Sequence, residues 1–353
     1  MSPRPIRYGE PLPLLHAHSN RNPRFALGSL GGRWVLFCAI ADLQHADAKS
    51  ALDSFAQRSF DEAQRLGAIF STESGEALAQ IAETKLIFTD REAAQASGLL
   101  EKEGPGRWVL IDPSLRALAF WPLAEGEKAL NALAQTPPPD QHAGAPLHAP
   151  VLVTPRIFEP EFCKVLIDYY NAQGGEPSGV TQESTAGKTF VKLDDTFKRR
   201  ADVLIEDAKL REAAMHRIYW RLGPEIEKAF MWRPTRMERY LVARYDAESG
   251  GFFKPHRDNT TAGTAHRRFA VTINLNAGEY DGGDLRFPEF GSRTYRAPTG
   301  GAVVFSCALL HEATPVTRGK RYAFLPFLYD EAAAKIREAN NPHLDESIRP
   351  YSG

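Results

Sequence analysis

The sequence predicts two domains, an α/β domain followed by an antiparallel β-sandwich or barrel, and three features of the chain carry that prediction. Over residues 1–135, strand-like and helix-like segments alternate, which is typical of an α/β sandwich. Residues 136–150 are rich in proline. After Arg236, short strand-like runs are separated by glycine-rich turns without intervening helices, which is the pattern of an antiparallel sandwich or barrel.

The first predicted element is the apolar run Trp34–Ile40, which has the length of a buried strand. A helix is predicted over 48–67, because Ala51, Leu52 and Phe55 fall on one side of it. The remaining predicted elements of this domain are a strand at 68–70, a helix at 75–83 and a hairpin of strands at 108–111 and 118–121.

The boundary between the domains is predicted at 136–150, where the sequence reads TPPPDQHAGAPLHAP. Proline supplies no backbone donor for a helix or a sheet, and consecutive prolines stiffen the chain. We therefore expect a domain at 1–135, a semi-rigid linker at 136–150 and a second domain at 151–353.

The second domain is predicted to begin with a helix over 160–171, which has a proline at its start and apolar residues on one face. Its Gly, Ser and Thr content indicates a mobile loop at 174–188. A helix over 207–230 should be kinked at Gly223-Pro224. Pro326 implies an edge position or a bulge in the last strand. Five strands are predicted after these helices, with the sequences ERYLVARY, RRFAVTINLN, GDLRFPEF, GAVVFSC and RYAFLPFLYD.

The charge of the chain is nearly balanced, with 43 basic and 44 acidic residues and a net charge of −1. No long-range positive field therefore favours nucleic acid or anionic lipid as a partner. Cys38, Cys163 and Cys307 are widely spaced in apolar stretches, so we expect buried free thiols in a reducing compartment. The N-terminal residues include no apolar run of signal-peptide or membrane-span length, and the expected location is the cytoplasm.

Three residues of the second domain form the pattern of a metal site. His256 and Asp258 are two positions apart in an extended segment, where alternate side chains point the same way, and His311 follows an apolar run. Two histidines and one carboxylate leave three octahedral positions open, as in non-haem iron(II) oxygenases. The absence of a thiolate from this set argues against structural zinc. Each residue alone is commonly ordinary polar surface, but their order and spacing together predict iron(II).

Arg321 follows His311 by ten positions and is predicted to face inward on the next strand. A 2-oxoglutarate that chelates iron through its keto-acid end needs a permanently charged, two-pronged donor for its distal carboxylate, and arginine suits this better than lysine. The carboxylate of Asp258 favours hydroxylation, because iron halogenases need that coordination position vacant for chloride.

The motifs around these residues are HRD at 256–258, GGDLRFP at 282–288, GGAVVF at 300–305, and PV and GKR after His311. Together they resemble the prolyl-hydroxylase branch of the 2-oxoglutarate oxygenases over residues 151–332. The resemblance implies a double-stranded β-helix (jelly roll) with supporting helices. It also implies that His256, Asp258 and His311 bind the iron and that Arg321 anchors 2-oxoglutarate. Whether ascorbate serves as a reductant stays open.

Further residues are candidates for cosubstrate or substrate contacts. Tyr245 matches the tyrosine that lies beside the cosubstrate in that branch. Asn274 stands where the oxygen-sensing members have another tyrosine, so Thr272 and Asn274 are candidates to supply the hydrogen bonds instead. Substrate specificity is expected from loops, here 174–196, 197–202 and 246–253.

Two other histidines, His266 and His216, lack a matching partner. His266 is interpreted as loop surface and His216 as helix surface. Arg236, Arg239 and Arg244 are predicted on the exterior or rim of the barrel, with a substrate-facing role for one of them left open.

The first domain carries the segments GGRWVLFCAIADLQHADAKSALDSF, AIFSTESGE, FTDREAAQASGLL and RWVLIDPS. They resemble a peroxiredoxin or thioredoxin-like domain over about residues 8–135. The peroxidatic position of that family falls near Asp47, and Cys38 lies inside an apolar strand where a thiol is inert. We therefore expect a docking or scaffolding domain without peroxidase activity, and a homodimer stays open.

The sequence thus predicts an iron(II)- and 2-oxoglutarate-dependent dioxygenase that hydroxylates an amino-acid side chain, peptidyl or free, or a small metabolite, releasing succinate and CO₂. The alternative is a redox or partner-binding scaffold that uses the thioredoxin-like half. A nucleic-acid demethylase of the same fold is disfavoured by the neutral charge.

Overall fold

The computed structural model describes residues 4–184, 186–346 and 348–351, and its contacts divide it into two compact units. The first unit comprises Met1–Ala149 and Pro288–Ser292, and the second comprises Pro150–Phe287 and Arg293–Gly353. No described helix is long and apolar enough to cross a membrane.

The first unit is built on a mixed sheet. The strands of this unit are β1 (His16–Ala17), β2 (Phe25–Ala26), β3 (Trp34–Ile40), β4 (Arg65–Ser71), β5 (Leu86–Thr89), β6 (Gly106–Ile111) and β7 (Ala117–Pro122). In the described part of this unit, strands β1 and β2 pair only with each other. Its helices are α1 (Ala46–Ala56), α2 (Glu76–Ala79), α3 (Arg91–Ser97) and α4 (Gly126–Ala134). The sheet has the strand order β5-β4-β3-β6-β7, in which β3, β4 and β5 are parallel and β6 and β7 are antiparallel.

The central strand β3 is buried along its whole length, because each face of the sheet is covered by its own apolar cluster. Val35 and Phe37 belong to one cluster, and Leu36 and Cys38 belong to the other. A strand buried on both faces reads as a continuous apolar run, so the predicted α/β class and this strand are confirmed.

The prediction of one helix over 48–67 was wrong at its end. Helix α1 stops at Ala56, and Arg65–Gly67 instead begins β4, where these residues pair with Trp34–Leu36 of β3. A Cβ at Gly67 would lie 2.7 Å from the ring of Phe55, so glycine lets α1 pack closely on the sheet. Long-range strand pairing thus overrode the local helical periodicity.

The second unit contains more strands than the sequence predicts. They are β8 (Leu152–Thr154), β9 (Glu176–Pro177), β10 (Val180–Glu183), β11 (Thr189–Lys192), β12 (Lys198–Arg199), β13 (Ala201–Leu204), β14 (Arg236–Glu238), β15 (Leu241–Asp246), β16 (Phe252–His256), β17 (Phe269–Asn274), β18 (Asp281–Gly282), β19 (Leu285–Arg286), β20 (Thr294–Tyr295), β21 (Ala302–Ser306), β22 (His311–Ala313), β23 (Val316–Arg318), β24 (Lys320–Phe324) and β25 (Phe327–Tyr329). Its helices are α5 (Pro160–Gln173), α6 (Ala208–Arg217), a π-helical turn (Ile218–Leu222), α7 (Gly223–Phe230) and α8 (Glu331–Ala339).

Two antiparallel sheets of this unit form a jelly roll. The larger sheet contains the order β15-β24-β17-β21, and the smaller contains β16-β22-β19-β20. Passing along the chain, β15 lies in the larger sheet, β16 in the smaller, β17 in the larger and β19 in the smaller. Because the chain changes sheet between these successive strands, it winds as a double-stranded helix of β-strands.

The two faces of the larger sheet have different partners, as the alternation of side chains along a strand requires. On β17, Val271 and Ile273 pack in one apolar cluster with residues of α5, α7 and the π-helical turn. Ala270 and Thr272, on the other face of β17, line a cavity. One face of the sheet therefore supplies the core, and the other supplies the candidate site.

For this unit, the predicted loop at 174–188 and the single last strand are corrected, and the first helix and the kink are confirmed. The segment 174–188, predicted as a mobile loop, contains β9 and β10, and β10 pairs with β11 as a hairpin. The helix predicted over 160–171 is present as α5. The kink predicted at Gly223-Pro224 coincides with the change from the π-helical turn to α7. The last predicted strand is interrupted between β24 and β25, where Pro326 lies.

Candidate metal centre

Two antiparallel strands bring the predicted histidines together. Strand β16 pairs with β22 so that His256 lies opposite His311, and their ring centroids are 4.3 Å apart. Residues directly opposed in an antiparallel pair present their side chains on the same face. The register of these two strands therefore joins residues that are far apart in the sequence.

Asp258 follows two residues after His256, and its backbone N–H donates to the carbonyl of Cys307 at 3.0 Å. Its Oδ1 is 3.5 Å from Nε2 of His256, and its Oδ2 is 3.3 Å from Nε2 of His311. One donor atom from each of the three residues lies within 4.8 Å of the others. The structure thus gathers the predicted triad around one point, with a nitrogen and oxygen donor set that suits iron(II).

Backbone hydrogen bonds orient both imidazoles. Nδ1 of His256 donates to the carbonyl of Lys254 at 2.8 Å, and Nδ1 of His311 donates to the carbonyl of Leu309 at 3.0 Å. A proton held on Nδ1 leaves the lone pair of Nε2 available to a metal, and such a bond also fixes the plane of the ring. Both rings therefore present Nε2 towards the carboxylate of Asp258.

The protonation states of the triad suit ligation. Burial, together with the neighbouring His311, lowers the pKa of His256 to about 4. Burial opposes ionisation of Asp258, but the adjoining His311 and His256 hold the pKa of that carboxyl well below its usual range. A neutral imidazole and an ionised carboxylate are the forms that bind a metal.

Aromatic rings enclose the two histidines. The ring of Phe253 stacks on His256 with centroids 3.5 Å apart, and the ring of Phe305 lies 4.5 Å from that of His311. The sequence analysis named neither phenylalanine as a site residue, although Phe253 ends the predicted specificity loop 246–253. Their positions in the sequence were the available signal, because Phe253 lies three residues before His256 and Phe305 is the penultimate residue of β21, the strand that precedes His311. An apolar shell of this kind limits solvent access to a metal.

Arg321 lies in the same cavity as the triad. It is only 2% exposed, and its Nε and Nη1 have no hydrogen-bond partner among the residues that the structure describes. Its guanidinium lies over the ring of Tyr245, 4.9 Å from the centroid, because the two residues are paired across β15 and β24. A buried permanent cation without a partner is costly, so this part of the cavity fits an anionic group such as the distal carboxylate of 2-oxoglutarate.

The remaining predicted cosubstrate contacts separate into two kinds. Tyr245 and Thr272 line the cavity together with Arg321 and the triad. Asn274 is buried on β17, its Nδ2 donates to the carbonyl of Ala297 at 2.8 Å, and it is not among the residues that line this cavity. The structure therefore brings Thr272, but not Asn274, to the cavity wall.

The three arginines assigned to the exterior or rim have different positions. Arg236 is exposed and pairs with Glu331 at 2.9 Å. The guanidinium of Arg244 lies over the ring of Tyr170, a residue of α5 that belongs to the apolar core. Arg239 instead lines the cavity, as does Arg200, which the sequence placed only within a specificity loop.

The interpretation of His266 as loop surface was wrong. The residue is 1% exposed, and its Nε2 lies 3.1 Å from the carboxylate of Glu238, which also pairs with Arg267 and Arg337 at 2.7 Å each. A buried carboxylate requires cationic or hydrogen-bonding partners of this kind. The local sequence pattern did not indicate that Glu238 is buried, so the burial of His266 was missed. His216 is exposed as predicted.

The thiols behave as the sequence predicted. Cys38, Cys163 and Cys307 are free and buried. Burial raises the pKa of Cys38 far above its ordinary value, and a thiol that stays protonated is a poor nucleophile. Asp47 lies in the first turn of α1, where the resemblance located the peroxidatic position.

Residues 240–329 match the family model described as 2OG-Fe(II) oxygenase superfamily. That range contains the triad, Arg321, Tyr245, Thr272 and Asn274. The chain carries a 2OG-Fe(II) oxygenase domain. Iron(II) and 2-oxoglutarate are accordingly the metal and the cosubstrate of this domain.

The oxygenase domain is similar to two PKHD-type hydroxylases. The protein from Cupriavidus metallidurans is 37% identical over 99 residues, which cover 26% of this chain and 42% of that protein. The protein from Maricaulis maris is 35% identical over 157 residues, which cover 43% of this chain and 65% of that protein. The chain therefore spans less than two thirds of the length of either relative.

A solved structure also aligns with the chain. A prolyl-4-hydroxylase from Pseudomonas putida aligns with a TM-score of 0.38 and 18% identity, covering 54% of this chain and 96% of that one.

Proposed function

We propose that this protein is an iron(II)- and 2-oxoglutarate-dependent hydroxylase. Its substrate is an amino-acid side chain, in a peptide or free, or a small metabolite, and it releases succinate and CO₂. The observation that carries the proposal is the convergence of the His256, Asp258 and His311 triad with the unpartnered cation of Arg321 in one cavity. The hydroxylase names of its relatives support the same reaction class.

In this proposal the iron is held by Nε2 of His256, Nε2 of His311 and one carboxylate oxygen of Asp258. The bound metal supplies O₂ activation coupled to decarboxylation of 2-oxoglutarate, with one oxygen atom ending in succinate and the other in the substrate hydroxyl. The two Nδ1–H bonds fix the planes of both imidazoles and leave Nε2 of each ring available to the metal. Asp258 holds a position that chloride would need, so hydroxylation is favoured over halogenation.

Arg321 binds the distal carboxylate of 2-oxoglutarate in this proposal. Within the described part of the chain its Nε and Nη1 lack hydrogen-bond partners, and a guanidinium matches a carboxylate with two parallel bonds. The ring of Tyr245 supports the plane of the guanidinium, and the hydroxyl of Thr272 on the cavity wall is a further donor. Phe253 and Phe305 limit water at the histidines.

The first unit is proposed to be a thioredoxin-like docking domain without catalytic chemistry. Its strand order β5-β4-β3-β6-β7, in which β6 is antiparallel to β3 and β7 is antiparallel to β6, supports that fold. The buried, protonated Cys38 and the carboxylate at position 47 argue against a thiol peroxidase. Free buried thiols also support a reducing compartment such as the cytoplasm.

Anaerobic titration of 2-oxoglutarate into the iron-loaded protein tests this function. The expected result is a metal-to-ligand absorption band that saturates with one iron and one 2-oxoglutarate per chain. A screen of amino acids, peptides and metabolites for iron-dependent succinate release then identifies the substrate class. A wild-type protein that binds iron but gives no band at any 2-oxoglutarate concentration would overturn the proposal in favour of a scaffold.

A further inference from the structure

A second cation lines the cavity that holds the metal triad. Arg239 lies in the short gap between β14 and β15, and its side chain is 30% exposed. It shares the cavity wall with His256, Asp258 and Arg321. In the proposed mechanism Arg321 binds the distal carboxylate of 2-oxoglutarate, whereas Arg239 has no role.

No described residue accepts a hydrogen bond from the guanidinium of Arg239. Its nearest carboxylate is Asp202, whose Oδ2 is 3.7 Å from Nη2 of Arg239. That carboxylate is already occupied by Arg200, whose Nε and Nη2 donate to it at 2.7 and 2.6 Å. The hydroxyl of Ser178 donates to the same Oδ2 at 2.5 Å. Asp202 therefore neutralises the charge of Arg200, and the positive charge of Arg239 is not balanced by this carboxylate.

The other carboxylate near Arg239 is also satisfied. Glu238 pairs with Arg267 and Arg337 at 2.7 Å each and with His266 at 3.1 Å. Burial, reinforced by the charges of Arg200 and Arg267, lowers the pKa of Arg239 to about 10, which is the direction expected for a cation with too few anions around it. The guanidinium stays charged at neutral pH.

The backbone and the packing of Arg239 hold its side chain in place. Its φ is +66°, a left-handed conformation that costs an L-residue other than glycine free energy and that recurs where function demands a particular geometry. The guanidinium lies over the ring of Phe327, 5.4 Å from the centroid. Stacking fixes the plane of the guanidinium without using its N–H groups, so these donors remain available to a ligand.

We infer that Arg239 binds a carboxylate of the substrate, so that the molecule to be hydroxylated carries an acidic group while its reacting carbon faces the metal. A planar, two-pronged anion matches an arginine held by stacking. The inference rests on the proposed function and adds the chemical class of the substrate to it. Phe253, Leu325 and Phe327, which line the same cavity, would contact the apolar part of that substrate.

The test uses pairs of compounds that differ only in charge. Free amino acids, short dicarboxylic acids and peptides containing Asp or Glu are each offered as the carboxylate and as the primary amide. Binding is read as the thermal shift of the full-length protein loaded with Mn(II) and 2-oxoglutarate, and turnover is read as succinate release by the iron form. The free-acid and peptide arms distinguish a small acid from an acidic peptide as the source of the carboxylate.

We expect the wild-type protein to bind a carboxylate and not its amide. Arg239→Met keeps the length of the side chain but removes the charge. It should weaken that binding about tenfold to a hundredfold, with a larger rise in KM than fall in kcat. Arg239→Lys should recover part of the loss. Arg236→Met is the matched control, because Arg236 lies outside the cavity on β14 and should leave carboxylate binding unchanged.

Three outcomes would overturn the inference. They are the lack of any carboxylate preference in the wild-type protein, an unchanged preference in a folded Arg239→Met variant, and a loss of 2-oxoglutarate affinity in that variant as large as in Arg321→Ala. Failure of the proposed function is distinguishable, because it would abolish the 2-oxoglutarate absorption band of the wild-type protein. Each of the three outcomes, observed with that band intact, would overturn the inference alone.

Discussion

Burial has different chemical consequences in the two units of the molecule. In the first unit, β3 is buried on both faces by apolar clusters, and the thiol of Cys38 becomes inert because burial disfavours its charged form and raises its pKa. In the second unit, the larger sheet buries one face in a core and turns the other to a cavity where His311 and Arg321 lie. The comparison teaches that burial by itself suppresses reactivity. Convergence of polar atoms at one point is what makes a site.

The loss of a metal ligand should have the largest effect. His311→Ala removes one of three donors from the triad, so we expect most iron affinity and all turnover to be lost while the jelly roll stays folded. Iron content after gel filtration and the circular dichroism spectrum measure the two effects. His216→Ala is the matched control, because that histidine is exposed on α6. Full iron retention by His311→Ala would remove this site from consideration.

A substitution that creates a cavity in the core of the first unit should lower the free energy of unfolding without affecting the metal site. Phe37 is fully buried and its ring lies 6.1 Å from that of Phe70. Phe37→Ala should lower the free energy of unfolding by about 3–5 kcal/mol, whereas Leu118→Ala, at a site 38% exposed, should change it by less than about 0.5 kcal/mol. Urea unfolding measures both. Iron affinity of the folded Phe37→Ala protein should equal that of the wild type, and a weakened affinity would contradict the separation of roles.

Removal of the cosubstrate anchor should act on 2-oxoglutarate and spare the metal. Arg321→Ala takes a charge-assisted contact from a buried carboxylate, which costs about 2–5 kcal/mol, or roughly thirtyfold to several thousandfold in affinity. Arg321→Lys should recover part of this, because the charge survives and the two-pronged geometry does not. Anaerobic titration of the absorption band measures the change, and equal affinity in the wild type and Arg321→Ala would rule out the anchor.

The buried carboxylate of Glu238 should make the second unit sensitive to acid. Burial by itself raises the pKa of Glu238, but Arg267 and His266 hold it well below its usual range. Its ionised form therefore stabilises the folded state above the unfolded pKa of about 4.3, and this contribution is lost as the pH falls towards the lowered folded value. Glu238→Gln should cost about 1.5–3 kcal/mol at pH 7, and the difference from wild type in urea unfolding should narrow below about pH 4. A difference independent of pH would contradict this account.

The smallest expected effect is none at all. Cys38→Ala should leave the rate of hydrogen peroxide consumption by the iron-free, full-length protein at the background level shown by the wild type, because the buried thiol stays protonated. A peroxidase assay measures this rate. Cysteine-dependent consumption by the wild-type protein would show that the first unit has chemistry of its own.

The sequence by itself determined the features that depend on local order. The apolar run Trp34–Ile40 predicted a buried strand, and Pro160 indicated the start of α5. The spacing of His256, Asp258 and His311 predicted a triad that the structure gathers within 4.8 Å. These predictions succeed because each rests on the period of a strand or helix, or on a set of metal-ligand types in a particular order and spacing.

Tertiary structure alone decided which charges are buried and where they point. Arg236, Arg239 and Arg244 look equivalent in the sequence, but only Arg239 lines the cavity, because its left-handed backbone lies in the break between β14 and β15. His266 is buried because Glu238, distant in sequence, needs its partners. Pairing across strands and the neutralisation of buried charge are long-range effects, and a local pattern carries no record of them.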